Sequence, residues 1–267
     1  MRLSAVVKLL VILEVAKLNF CEEIMFGSPE ETYWSSLDMY LWTFNVEPDQ
    51  SIFDDNFEIS GDKSESVKGL YFKPNNNIKF LPVKLNEKFP NLVVYAANNC
   101  SLSSLKYEHF TNLSKLQILS FGTNQISSIE QDAFKDLTYL KFLFLNHNEI
   151  ANIDDHTFDT VTNLRLLTLY NNQLSALSEN IFINLSQLRN ISISDNNIQS
   201  MNDNHFKNNR KLEWIWMHNN EFSILSSTMF DKMKNLKFVD LKENLCINDY
   251  YFAARFLEMK EKIKSSC

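Results

Sequence analysis

Apolar residues in this chain follow two superposed rhythms. Within short stretches such as "LTYLKFLFLNHNEI" (137–150) they alternate with a period of two, which predicts β-strands. Along the whole chain these stretches return every 24 residues, as "VTNLRLLTLYNNQL" and then "LSQLRNISISDNNI". A fixed period changes the fold that a local pattern implies. Asparagine recurs at Asn124, Asn148, Asn172, Asn196, Asn220 and Asn244, with Cys100 in the preceding slot of the same phase. Ten residues after each slot up to Asn220 comes phenylalanine (Phe110, Phe134, Phe158, Phe182, Phe206, Phe230), and sixteen after comes leucine (Leu116, Leu140, Leu164, Leu188, Leu212, Leu236). Each unit predicts a short strand, a turn and an irregular or 3₁₀ return limb, and one unit can bury its apolar side only by stacking on a neighbour.

The pattern L-x-x-L-x-L-x-x-[NC]-x-L resembles the leucine-rich repeat, and the 24-residue period with its late phenylalanine resembles the extracellular subclass, including secreted insect proteins of this kind. The resemblance implies an α/β repeat: a leucine-rich-repeat solenoid, or horseshoe, with a parallel concave β-sheet, an N-terminal cap and a short helical C-terminal cap. The expected divisions are a signal peptide (1–16), an acidic N-terminal cap (17–66), a degenerate first repeat (67–88), repeats (89–245) and a C-terminal cap (246–267). Buried asparagines are tolerable only if their amides bond the backbone of adjacent loops, because an unpaired buried amide costs about 1–3 kcal/mol. Cys100 fits the same slot as a small buried thiol, neither catalytic nor bridged.

In the last segment, "ENLCINDYYFAARFLEMKEKIKSSC", Phe252, Phe256, Met259 and Ile263 follow helical spacing, with Asn248 or Asp249 able to cap the start. Lys260, Lys262 and Lys264 suit the negative end of a helix dipole. The segment resembles a shortened C-terminal cap, and that likeness implies a Cys246–Cys267 disulfide; closing a loop of about 22 residues is worth roughly 3 kcal/mol. For Cys21 three options stay open: free, paired with Cys100, or bridging to a second molecule, which would give a dimer.

The start, "MRLSAVVKLLVILEVAKLNFCEE", has a basic residue and an apolar run ending in small residues, and reads as a signal peptide cut near Ala16, with an uncleaved anchor as the alternative. No later segment reads as a membrane span. Four sequons, Asn99, Asn112, Asn184 and Asn190, fit a secreted, extracellular glycoprotein. Asn112 and Asn184 share one phase on the return limb, where a glycan would point into solvent.

Charge is segregated. Residues 22–66 hold twelve acidic side chains against Lys63 alone, while the chain as a whole carries −7. That balance argues against a nucleic-acid partner, which needs a basic stripe. The sequence holds no phosphate-cradling glycine loop, no H-E-x-x-H and no G-x-S-x-G, so no catalytic residue, cofactor or metal is expected. His147 and His218 fall three repeats apart, roughly 14 Å at strand spacing, too far to share a metal. His109 and His205 precede repeated phenylalanines, where a surface role is expected.

Residues alternating with the inward leucines point to the concave face: Ile118 and Ser120, Phe142 and Phe144, Leu166 and Thr168, Asn190 and Ser192, Trp214 and Trp216, Phe238 and Asp240. With Tyr170 and His218 two residues further along, they form two aromatic patches, one around Phe142, Phe144 and Tyr170, the other around Trp214, Trp216, His218 and Phe238. Exposed aromatic clusters mark interaction sites. The expected function is therefore a secreted binding protein that recognises a protein or other macromolecular ligand, and the family resemblance implies a role in innate immunity or cell-surface contact. The alternatives are a matrix component self-associating through Cys21 and a soluble inhibitor or decoy.

Overall fold

A computed structural model of the protein describes residues 43–46, 65, 67–72 and 78–267. The expected signal peptide, Cys21 and most of the acidic N-terminal segment lie outside the described residues. Strands β1 (Thr43–Val46) and β2 (Gly69–Phe72) begin a parallel sheet. It continues through seven three-residue strands spaced 24 residues apart: β3 (Val94–Ala96), β5 (Ile118–Ser120), β7 (Phe142–Phe144), β8 (Leu166–Thr168), β9 (Asn190–Ser192), β11 (Trp214–Trp216) and β13 (Phe238–Asp240). A last strand, β14 (Tyr250–Phe252), closes the sheet antiparallel to β13. On the return side, β4 (Ser104–Leu105) pairs with β6 (Ser128–Ile129), and β10 (Ser200–Met201) with β12 (Ile224–Leu225). A single helical turn, α1 (Leu85–Lys88), follows β2, and helix α2 (Phe256–Ser266) follows β14. The parallel register begins with β1, within the stretch assigned to the N-terminal cap.

The core is one continuous column. The middle residue of each repeated strand, from Tyr95 and Leu119 to Ile215 and Val239, is fully buried against the return limb. There the repeated phenylalanines form a spine, with Phe134 stacked on Phe158 at 6.1 Å and Phe182 on Phe206 at 5.6 Å. Stacking of this kind gives each turn contacts mainly with its neighbours.

The asparagine column behaves as the cost of burial requires. Asn148 Nδ2 donates to the carbonyls of Phe121, Leu145 and Asn146, and its Oδ1 accepts from Ile126 N–H; Asn172, Asn196 and Asn220 repeat the pattern one turn later each time. Each amide therefore ties two successive turns. Cys100 is buried in its slot and is not disulfide-bonded; burial pushes its thiol up to about 12, and Sγ donates to Asn98 O.

The residue before each slot, Asn99, Thr123, His147, Asn171, Asp195, Asn219 and Glu243, has φ between 49° and 57°. This left-handed residue turns the chain out of the strand, and it carries no common residue type that the sequence could announce. The conformation suits asparagine and aspartate but is strained for the β-branched Thr123. At Gly122 an added Cβ would lie 3.1 Å from Asn146 Nδ2, so the face there is tight.

Two sequence expectations need correction. His109 and His205 are not surface residues: both are buried, because Nδ1 accepts the backbone N–H of Lys106 and Asn202 respectively and so closes the turn before each phenylalanine. The C-terminal helix also starts later than expected. Tyr250–Phe252 forms β14 because Tyr251 enters the core while its neighbours face out, and Asn248 Oδ1 accepts from Glu243 N–H instead of capping the helix. Met259 and Ile263 are the buried face of α2, and Cys246–Cys267 fastens its end to the last turn with Cα atoms 5.0 Å apart.

Candidate functional site

The concave face divides into two parts. From β3 to β9 its residues are closed to solvent except half-buried Asn190: Val94, Ala96, Ile118, Ser120, Thr168 and Ser192 are all buried. Phe142 and Phe144, expected as an open aromatic patch, are each only 4% exposed, and their rings are engaged. Alternation fixes the side on which a residue emerges, not whether that side is open. Phe142 is flanked in register by Ile118 and Leu166, and Phe144 by Ser120 and Thr168. These hydroxyls bond side chains within the face, Ser120 to Asn98 and Thr168 to Asn146. Tyr170 is half-buried; its hydroxyl accepts from Asn146 Nδ2, and its ring meets His147 edge-on at 4.9 Å. Phe142 and Phe144 are thus enclosed rather than open surface, while Tyr170 stays half-buried at their edge.

From β11 onward the face opens. Trp214 and Trp216 stack at 6.0 Å, both half-buried, and Phe238 of the next strand contacts both rings at 5.6 and 6.1 Å. Antiparallel β14 extends this cluster with two rings the sequence reading missed: Tyr250, 38% exposed, and Phe252, 51% exposed, at 6.2 and 5.1 Å from Phe238. The signal is present as out-in-out alternation at Tyr250, Tyr251 and Phe252, but Phe252 also fits the helical spacing of Phe256, Met259 and Ile263. Five rings on three strands make one platform.

Charge frames the platform. At the start of the strands Glu213 pairs with Arg189 and Lys237, each at 2.8 Å. At the other end His218 lies between two carboxylates, 3.3 Å from Asp240 and 3.6 Å from Asp195. Lys242 Nζ sits 4.3 Å from the Tyr250 ring centroid, and Arg255 lies 5.0 Å from that of Tyr251 while bonding Asp249 and Glu258. These bonds hold the Asp249 carboxyl below its usual range and push Arg255 up.

Of the sequons, Asn99, Asn112 and Asn184 are exposed, while Asn190, on β9 beside Trp214, is half-buried with Oδ1 enclosed. Among the described residues no group of three or more His, Cys, Asp or Glu side chains is placed to hold a metal, and no helix is long and apolar enough to cross a membrane.

Comparison with known proteins agrees with this architecture. The BspA type leucine rich repeat region matches residues 127–258 in six copies, and a second leucine rich repeat family matches residues 97–150. No curated protein matches. Among solved structures, the chain is similar to that of a TLR13–ssRNA13 complex (25% identity, TM-score 0.64, covering 74% of this chain and 27% of that one). It is also similar to an internalin, inlF, from Listeria monocytogenes str. 4b F2365 (23% identity, TM-score 0.56, 67% and 49% covered) and to a chain of the mouse RP105/MD-1 complex (23% identity, TM-score 0.60, 67% and 31% covered). The chain spans about a quarter to a half of the length of these neighbours. The stacked turns, the asparagine column and the matched segments agree: the chain carries a leucine-rich-repeat domain, folded as a solenoid with a short C-terminal helix.

Proposed function

We propose that this chain is a secreted, extracellular leucine-rich-repeat protein that binds a protein partner on the aromatic platform of Trp214, Trp216, Phe238, Tyr250 and Phe252. The observation that carries the reading is the opening of an otherwise closed face at one cluster of rings. Trp and Tyr supply large, rigid contact area with little entropy to lose, which is why they dominate binding hot spots. Secretion is supported by the apolar leader, by the exposed sequons Asn112 and Asn184, and by a disulfide, a bond that persists in oxidising compartments. The likeness to chains solved in the TLR13–ssRNA13 and RP105/MD-1 complexes supports a binding role, and the family resemblance offers innate-immune recognition or cell-surface contact as its setting.

The test is capture of extracellular fluid on immobilised protein. Wild type is expected to retain a partner that Trp216→Ala loses, with both variants melting within about 1 kcal/mol of each other. Equal retention by the two would place the binding surface elsewhere.

A further inference from the structure

The rings of the platform are bordered by charge, and along one rim carboxylates outnumber cations. Along the rim where β9, β11 and β13 end, Asp195 and Asp240 lie on either side of His218, and Glu243 stands exposed one turn beyond. Asp240 is the register neighbour of Trp216, so a carboxylate sits beside the ring stack itself. The cations nearest this rim are already committed: Lys242 to the face of Tyr250, and Arg255 to Tyr251 and the Asp249 and Glu258 carboxylates. At the opposite end of the strands, Glu213 is matched by Arg189 and Lys237. The rim is therefore acidic beside Trp216, on the side where β9, β11 and β13 end.

Aromatic faces bordered by carboxylates favour cations, since ring quadrupole and carboxylate both attract a guanidinium or ammonium. The molecule shows this preference within itself, at Lys242 over Tyr250 and Arg255 over Tyr251. We infer that the occupant of the platform is a basic segment of a protein, with arginine or lysine side chains laid across Trp216 and Phe238 and drawn in by Asp195 and Asp240. The inference rests on the platform being the binding face, and it adds the chemistry of the partner.

The experiment titrates the full chain with nona-arginine while following tryptophan fluorescence, with laminarihexaose as a carbohydrate probe of the same rings. The variants are Asp195→Asn with Asp240→Asn, which keep shape and hydrogen bonding, and Phe252→Ala, whose side chain is half-exposed and outside the core. Circular dichroism melts check that all three fold. Nona-arginine is expected to perturb the tryptophans of wild type, and its Kd to rise about tenfold in the double asparagine variant and several-fold in Phe252→Ala. The acidic stretch 22–66 also attracts arginine, but that attraction is common to every variant. An unchanged Kd across them assigns the peptide to that stretch and overturns the inference. Tryptophan perturbation by laminarihexaose alone, lost in Phe252→Ala, overturns the cationic occupant yet leaves the platform a binding site. Silence from both probes overturns the occupant and the platform together.

Discussion

The two halves of the concave sheet follow one backbone plan and differ in what stands on it. From β3 to β9 the outward positions apart from half-buried Asn190 are small, aliphatic or hydroxyl-bearing, and even Phe142 and Phe144 are enclosed; from β11 to β14 five aromatic rings remain partly open. The same period-two alternation therefore yields packing in one region and a surface in the other. Direction out of a strand is a property of the backbone, whereas exposure is a property of the neighbours.

The sharpest break of this comparison pairs Phe144 with Trp216. Phe144→Ala is expected to cost about 3–5 kcal/mol, as an enclosed phenylalanine does. Trp216→Ala should stay within about 1 kcal/mol of wild type because its ring stands on the face, outside the core. Urea unfolding of the two variants decides, and equal costs would erase the distinction. Next in size, Cys267→Ser should lower stability by about 2–4 kcal/mol by releasing α2 from the turn beneath the platform. Cys100→Ser should cost less, since its thiol is unbridged and its slot takes a small side chain; a larger loss for Cys100→Ser would mean the C-terminal staple matters little. A smaller effect of opposite sign is expected in the closed region, where Thr123→Asn should gain up to about 1 kcal/mol by putting an αL-tolerant residue at φ 57°. A thermal melt suffices, and a loss would show that Thr123 makes a compensating contact.

The smallest effect is that of pH on the open end. Hydrogen bonds from Arg255 hold the Asp249 and Glu258 carboxyls below their usual range. Carboxyls depressed by folding stabilise above the unfolded pKa and lose that contribution as pH falls through the depressed values. Wild type and Arg255→Ala should accordingly differ near neutral pH and converge in acid. A gap that persisted or widened in acid would count against this ion pairing.

The periodic part of the molecule was legible in the sequence because it is written once per turn. The phenylalanine spine, the inward leucines and the amide column each recur at 24 residues, and all were placed correctly. The C-terminal disulfide, read from a family likeness, is also present. What escaped was written only once or in no residue type. The strand at Tyr250–Phe252 interrupts a pattern that also reads as helix, and so two of the platform's five rings were missed. His109 and His205 were placed outside because their burial depends on a ring nitrogen meeting a backbone N–H, a matter of geometry. The enclosure of Phe142 and Phe144 depends on what lies over the strands, which alternation along one strand does not encode.

The amide column also gives the solenoid a direction of failure. Every rung from Asn124 to Asn220 spans two turns with several bonds, whereas the Cys100 slot carries a thiol, a weaker hydrogen-bonding group than an amide, and beyond Asn244 the chain is stapled by a disulfide. Pulled or heated, such a stack has a weak seam near Cys100 and a locked end beside the aromatic platform, so the turns would peel away from the Cys100 side toward β13. The face offered to a partner would then be the last part of the coil to lose its shape.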